Sequence, residues 1–390
     1  MKNVVLIHYD EIGLKGKNRS AFETKLMDNI RRKLKILNLN QCSLKKNYGC
    51  LVIEYDKNLT SHEKISEICK TSFGISNFSF SYECNSDYDE IEKSVMNIIQ
   101  NKKYKTFRIT ARRSNKKFKL NSQEICIKIG DIVRTKFNKK VDLENFDLNI
   151  YIEIYDKKTY IYFEKIPSIG GLPTGVGGKI VTLLSGGIDS PLAAWYMQKR
   201  GLDTVLVHFH SFPFTNAASI DKVKELAEKL SRYSPELKLY LCPFGELQKK
   251  LLCEIPDEYR IIFYRRFMFR IANKIAKKED CKAISTGESI GQVASQTIEN
   301  ISVIQEASDL PILRPLIGFD KKEIINKAKE VGTYETSILP HQDCCSLFLP
   351  KHPQTKSKPE TVKMIEEKLD VDLMIQKIIE NADKVTIIPH

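Results

Sequence analysis

The sequence predicts an α/β protein: a doubly wound parallel sheet in its C-terminal half, preceded by two small α+β domains. Three observations lead there. From Lys179 onward, apolar runs of strand length alternate with stretches of helical period, the pattern of a parallel sheet with crossover helices. Ahead of it, two segments each mix both periods. Between the halves lies Ile169 to Gly178, with five glycines and a proline, which neither a helix nor a long strand accommodates.

A chain of 390 residues is long enough for two or three cores. It holds no apolar run long enough for a membrane-spanning helix. Val4 to Ile7 is too short for a signal peptide and reads as a first strand. The expected location is the cytoplasm. Of ten cysteines, Cys50, Cys69, Cys126, Cys242 and Cys253 sit among apolar neighbours, which predicts buried, reduced thiols. The absence of a CxxC pair argues against a zinc knuckle.

The net charge of +13 is unevenly placed. Residues 1–165 carry 32 Lys and Arg against 21 Asp and Glu, and residues 102–140 alone carry 14 against two. A solvated basic face is the plainer reading of such a run. Its density favours a surface for nucleic acid, with Lys15, Lys17, Arg19, Arg112, Arg113, Lys116, Lys117 and Lys119 as candidate contacts.

Residues 2–9 read as a strand. Ser20 and Glu23 form a capping-box pattern ahead of an apolar stripe at Phe22, Leu26, Ile30 and Leu34. Tyr48 to Tyr55 reads as another strand, so residues 1–58 make the first α+β domain. The second, 59–166, takes helices at Ser61–Ser72, Tyr88–Asn101 and Asn121–Asn138. Its strands are Phe78–Tyr82, Thr106–Arg112, Leu148–Ile154 and Thr159–Lys165. Residues 167–178 are read as a glycine-rich linker and 179–390 as the catalytic domain. There, strands Lys179–Leu184, Thr204–Phe209, Leu237–Cys242 and Ala283–Thr286 alternate with helices Ser190–Arg200, Ser219–Tyr233 and Tyr259–Lys278. Further helices are expected at Lys321–Val331, Pro359–Lys368 and Leu373–Ala382. Ligands of such sheets bind beyond the carboxyl ends of the strands.

The first of those ends is Ser185-Gly186-Gly187-Ile188-Asp189-Ser190. The glycines let the backbone approach a ligand, and the helix that follows points unpaired N–H groups and its positive dipole end at it. Ser185 and Ser190 add hydroxyls. Asp189 does not attract an anion, so a Mg²⁺ bridging it to phosphate oxygens is the expected metal. The loop lacks the lysine of a Walker A motif. The plainer alternative is a glycine turn capped by Ser and Asp.

With this string the sequence resembles the PP-loop ATP pyrophosphatase superfamily, which is Rossmann-like. The whole chain resembles the tRNA 4-thiouridine synthetase family, ThiI. The likeness runs through Lys179 to Pro191, Ser285-Thr286-Gly287-Glu288 to Thr297, Arg314 to Lys321, and Glu335-Thr336-Ser337. It implies a ferredoxin-like domain, a THUMP RNA-binding domain and a PP-loop catalytic domain. It implies ATP as co-substrate, contacted by Leu183, Leu184, His208, Phe209, Arg265, Gly287 and Gln296. It implies tRNA uridine 8 as the target, with a second role supplying sulfur for thiamine biosynthesis left open. For His208 the plainer reading is a core histidine, and for Arg265 a solvated cation.

Adjacent Cys344 and Cys345 stand between polar flanks and near Lys351 and His352, which favours thiolate. The resemblance places the catalytic sulfur carrier in this segment. Cys344 is the first choice and Cys345 the second. Some relatives bear a C-terminal rhodanese-like domain for which His390 leaves no room. The donor route is then expected to differ, with a cysteine desulfurase loading the Cys344/Cys345 segment directly as the persulfide donor, or another carrier serving in its place, and a homodimer is a candidate assembly. Two rival readings are a PP-loop ligase or amidotransferase using nitrogen, and a non-catalytic tRNA-binding protein.

Overall fold

The computed structural model describes residues 1–234, 236–340, 348, 350 and 352–388. It divides into two compact units, Met1–Gly171 and Leu172–His390.

The first unit is built on one nine-stranded sheet. Its elements are β1 (Lys2–His8), α1 (Arg19–Ile36), β2 (Ser43–Asn47), β3 (Cys50–Glu54), α2 (His62–Thr71), β4 (Asn77–Asn85), α3 (Tyr88–Ile99), β5 (Thr106–Arg113), α4 (Ser122–Phe137), β6 (Lys140–Val141), β7 (Leu148–Ile154), β8 (Lys158–Tyr162) and β9 (Ile166–Pro167). The strand order is β2-β3-β1-β4-β8-β7-β5-β6, with β9 also on β4. Pairing is antiparallel except where β5 joins β6 and β7. Strand alternation sorts the core. Val5 and Ile7 of β1 pack under α1 and α2, whereas Val4 and Leu6 join Cys50, Val52, Tyr155, Tyr160 and Tyr162 on the opposite face. A second helix-side core gathers Ile91 and Val95 of α3, Ile125, Ile129 and Val133 of α4, and Phe107, Ile150 and Ile152. Helix α4 carries a complete capping box at Asn121 and Glu124 and ends at Asn138 in the left-handed region.

Two expectations for this unit are corrected. Ser20 and Glu23 form no capping box, because α1 starts at Arg19 and its first residues lack a side-chain cap. Glu23 is buried instead, held by the Tyr9 hydroxyl, Arg19 Nε at 2.8 Å and Lys46 Nζ at 2.5 Å. The apolar stretch ending at Tyr55 is half of a hairpin. Tyr48 and Gly49 turn between β2 and β3, with Gly49 at φ 82°, a backbone conformation that favours glycine.

The second unit opens with the latter part of the glycine-rich segment, from Leu172 on. Its Leu172 N–H donates to the Lys199 carbonyl, and the Gly175 and Gly177 N–H groups donate to the Gly201 carbonyl. Then follow β10 (Lys179–Leu183), α5 (Asp189–Lys199), β11 (Asp203–His210), α6 (Ala218–Ser231), β12 (Leu237–Pro243), α7 (Gly245–Glu254), α8 (Arg260–Lys278), β13 (Ile284–Ser285), α9 (Ile298–Gln305), β14 (Ile312–Leu313), α10 (Lys321–Val331), α11 (Tyr334–Ser337), α12 (Pro359–Glu366), α13 (Val371–Glu380) and β15 (Asp383–Ile387). Among the described residues the sheet order is β14-β13-β10-β11-β12-β15. All pairs are parallel but the last, since β15 runs antiparallel to β12. Val181 and Leu183 of β10 face the core under α8, while Ile180 faces Met197 of α5. The sheet is therefore covered on both faces. Cys50, Cys69 and Cys242 are buried as expected and Cys126 is half-buried, but Cys253, near the end of α7, is exposed. No described helix is long and apolar enough to cross a membrane.

Candidate nucleotide site

Strand β10 is flanked by β11 on one side and β13 on the other, so the chain leaves it in one direction and returns on the opposite side. That is a topological switch point, where open sheets of this kind bind ligands. The Ser185–Ser190 loop leaves the carboxyl end of β10 and enters α5. Its shape is fixed internally. The Ser185 N–H donates to Ser190 Oγ at 2.8 Å, the two hydroxyls meet at 3.0 Å, and the Gly187 N–H reaches Ser185 Oγ at 3.3 Å. From α11, Ser337 Oγ donates to the Gly187 carbonyl at 3.3 Å.

Beside this loop opens a cleft of about 210 Å³. Of the residues expected to contact nucleotide, Leu183, Leu184, Ser185, Asp189, Ser190, His208, Phe209, Arg265, Gly287 and Gln296 all line it. Gly186 and Gly187 lie in the loop itself, outside the lining. Gly287 touches α5 directly: a Cβ there would stand 2.7 Å from the Ser190 nitrogen and 2.8 Å from the Asp189 carbonyl carbon.

Two buried acceptors in the cleft have no partner among the described residues. His208 is fully buried, and its Nδ1 lies 2.9 Å from the Leu184 carbonyl. A carbonyl only accepts, so Nδ1 carries the proton and Nε2 is left bare. Burial, opposed by that hydrogen bond, pushes the His208 pKa down to about 4, so the ring is neutral at physiological pH. Gln296 Oε1 is the second such acceptor.

The cationic side of the cleft rests on Glu288. This carboxylate is 3% exposed and accepts from Arg265 Nη2 at 2.6 Å, Arg314 Nε at 2.7 Å and Thr286 Oγ1 at 2.9 Å. Burial alone would raise the Glu288 pKa, yet the two guanidiniums bring it below its ordinary value. Asp189 has partners of its own: Lys321 Nζ at 2.6 Å from Oδ1 and Gln292 Nε2 at 2.9 Å from Oδ2. Glu288, Gln292, Arg314 and Lys321 were not predicted as site residues. Sequence carried a signal for all four, since Glu288 and Gln292 lie within the Ser285–Thr297 string and Arg314 and Lys321 bound the Arg314–Lys321 string that carry the resemblance, and Glu288 directly follows Gly287.

Cys344 and Cys345 lie outside the described residues. Of the candidate RNA contacts, Lys17, Arg112, Lys116, Lys117 and Lys119 are exposed. Lys15 Nζ stands 5.3 Å from the Phe22 ring centre. Arg19 is engaged by Glu23 and by the Tyr9 hydroxyl at 2.8 Å, and Arg113 braces its own loop through the Lys116 and Phe118 carbonyls. Among the described residues no group of three His, Cys, Asp or Glu side chains forms a metal cage.

Comparison with known proteins matches the chain in three stretches. Residues 4–79 match the ThiI ferredoxin-like domain, 85–164 the THUMP domain, and 175–371 the thiamine biosynthesis protein (ThiI) family. A probable tRNA sulfurtransferase of Acetivibrio thermocellus is 42% identical over 393 residues, covering 99% of each chain. One of Moorella thermoacetica is 41% identical over 391 residues, covering 100% of this chain and 99% of the relative. Among solved structures, a 4-thiouridine synthetase–RNA complex with bound ATP superposes with a TM-score of 0.87 at 38% identity, covering 99% of this chain and 100% of that one. PH1313 from Pyrococcus horikoshii Ot3 gives a TM-score of 0.64 at 26% identity, covering 85% and 99%. Likeness of this extent, from the first strand to the last, leaves one conclusion about kinship: the protein belongs to the ThiI family.

Proposed function

We propose that this chain is an ATP-dependent tRNA sulfurtransferase that converts uridine 8 to 4-thiouridine. The observation that carries the reading is the cleft above β10, where the Ser185–Ser190 loop is joined by two bare, buried acceptors, His208 Nε2 and Gln296 Oε1. Those acceptors suit the amino edge of an adenine. The N–H groups of the first turn of α5 suit phosphates, and Arg265 adds a guanidinium. The relative crystallised with RNA and ATP supports the same substrates here.

The chemistry follows from leaving groups. A carbonyl oxygen leaves poorly and AMP leaves well. The uridine O4 attacks the α-phosphate and pyrophosphate departs; the terminal sulfur of a persulfide on Cys344 or Cys345 then attacks C4 as AMP leaves, and a second thiol cleaves the resulting S–S bond, releasing 4-thiouridine and leaving a disulfide that a thiol reductant resets. Leu183, Leu184 and Phe209 wall the base. Asp189 is the carboxylate that would hold Mg²⁺ beside the phosphates. A carboxylate offers about four lone-pair directions, and Lys321 and Gln292 take one on each oxygen. A cysteine desulfurase is the proposed persulfide donor, and sulfur supply for thiamine biosynthesis a second proposed role.

Mass spectrometry of tRNA nucleosides from a deletion strain tests the reaction: 4-thiouridine disappears, and its persistence sinks the reading. Rescue with Asp189→Ala should restore neither thiolation nor ATP–pyrophosphate exchange. The double variant Cys344→Ser, Cys345→Ser should keep exchange and lose thiolation. Full thiolation by that variant would point to chemistry without sulfur relay.

Docking of tRNA is assigned to the front unit, through phosphates and shape. Changing the exposed Arg112, Lys116 and Lys117 to Ala should weaken tRNA binding. It should also lower the slope of log affinity against log salt by about one for each cation that pairs with a phosphate. An unchanged slope in a salt titration would remove this loop from the interface.

A further inference from the structure

The chain on either side of Cys344 and Cys345 is fastened, and one fastening on each side ends at the nucleotide cleft. Upstream, Ser337 Oγ of α11 donates to the Gly187 carbonyl of the phosphate loop at 3.3 Å. Lys222 Nζ of α6, on a residue 6% exposed, donates to the Leu339 carbonyl at 2.9 Å. That carbonyl stands five positions before Cys344.

Downstream, residues 354–357 are held by the turn that carries Gln296. Thr297, the next residue, is the N-cap of α9, and Asn300 lies in its first turn. Thr297 Oγ1 donates to the Thr355 carbonyl at 2.7 Å. Asn300 is fully buried, and both ends of its amide are used. Nδ2 donates to the Ala294 carbonyl at 2.6 Å and to the Gln354 carbonyl at 2.8 Å, while Oδ1 accepts from the Ser357 N–H at 3.1 Å. A carbonyl only accepts and an N–H only donates, so these partners fix which way the amide faces. Burying an amide costs free energy unless it is satisfied in this way, and packing of α9 alone calls for an apolar side chain.

Ala294 and Gln354 thus share one side chain. Ala294 stands two positions before Gln296, and Gln354 directly follows the interval 338–353 that carries both cysteines. The Gln296 turn has backbone bonds of its own, from Gln296 N–H to the Val293 carbonyl at 2.8 Å and from Gly291 N–H to the Gln296 carbonyl at 3.0 Å. It keeps these without Asn300. Residues 354–357 would keep the Gln354 N–H on the Glu258 carbonyl at 2.9 Å and the Thr297 tie, but the Gln354 carbonyl and the Ser357 N–H would lose their partner.

We propose that Asn300 is a positioning residue for the sulfur-transfer step, setting the cysteine-bearing interval in place against the bound nucleotide. Asn300 does not line the cleft, so it acts through the two segments it joins. The proposal rests on the sulfur-relay reading above.

Asn300→Asp tests it, since this change keeps the shape and the Oδ1 acceptor and sets an oxygen against two carbonyls. ATP–pyrophosphate exchange and 4-thiouridine formation are measured on the full chain with tRNA, ATP, cysteine and a cysteine desulfurase. The ratio of thiolation to exchange should fall about 100-fold, the scale of a 1 Å misplacement, with the KM for tRNA and the persulfide content of the chain each within about twofold of wild type. Thr297→Val should lower the ratio too, and Thr297→Ser, which keeps the hydroxyl, should restore it. A ratio that stays at the wild-type value, because both rates fall together or neither falls, overturns the proposal. So does persulfide loading that falls as far as thiolation. Full thiolation by the double variant Cys344→Ser, Cys345→Ser overturns the sulfur-relay reading instead. Should Asn300→Asp prove unfolded in a thermal melt, the Thr297 pair decides.

Discussion

Gly287→Ala is expected to abolish nucleotide-dependent turnover while leaving the front unit's RNA affinity intact. The reason is distance. The new methyl would lie 2.7 Å from the backbone nitrogen of Ser190 and 2.8 Å from its Cα, a clash that no rotamer change relieves. Either β13 or the start of α5 must shift, and the start of α5 carries the N–H groups aimed into the cleft. A displacement near 1 Å in positioning machinery costs about 100-fold in rate, and overpacking adds about 1–3 kcal/mol of instability. ATP–pyrophosphate exchange measures the first and urea unfolding the second. Gly318→Ala is the control, because a Cβ there meets nothing within 4 Å. Retention of more than about a tenth of the exchange rate, a loss of under 1.4 kcal/mol in the barrier, would show that the loop and β13 move freely past one another.

Glu288→Ala is expected to be the most destabilising change in the cleft. Arg265, Arg314 and Glu288 are 19%, 10% and 3% exposed as side chains, so solvent screens them weakly. Removing the carboxylate takes away the ion-pair partner that Arg265 and Arg314 share. Breaking one buried pair costs about 3–5 kcal/mol, and here one group serves two. The sign with pH follows from the direction of the shift. A carboxyl held below its ordinary pKa stabilises the fold above that ordinary value, and the contribution is lost as pH falls through the folded value. Wild-type unfolding free energy should therefore decline on acidification more steeply than that of Glu288→Gln. Equal pH slopes, or a Glu288→Ala loss below about 1 kcal/mol, would reduce the triad to a surface-type pair.

The second helix-side core and the β10–α5 turn were legible because their causes are local. Asn121 with Glu124 and Asp320 with Glu323 each form the capping box their spacing announces. Ser20 with Glu23 has the same spacing and fails, because Tyr9 and Lys46, far off in sequence, claim the carboxylate. The Glu288 triad was hidden for the same reason: its arginines stand 23 and 26 positions away. β15 escaped notice because Asp383-Lys384-Val385-Thr386-Ile387 is a polar edge sequence, held by backbone pairing to β12 and by Lys384 Nζ at 2.8 Å from the buried Glu279. Glu279 also takes Lys238 at 2.7 Å and the Tyr240 hydroxyl at 2.6 Å. Hydropathy reads pattern within a segment, and these features are agreements between segments.

Strand β4 hydrogen-bonds to β1 along seven residues and to β8 along four. It thus splices the ferredoxin-like and THUMP regions into one continuous ladder. A joint of that kind has no hinge. Any polyanion spanning the two regions meets charges at separations set by backbone geometry, and the entropy of aligning them is spent when the chain folds and not when the ligand arrives. The same splice makes the unit brittle in one respect. Inserting a single residue within β4 would exchange inward and outward faces for everything beyond it, so an error on one side could not be confined there.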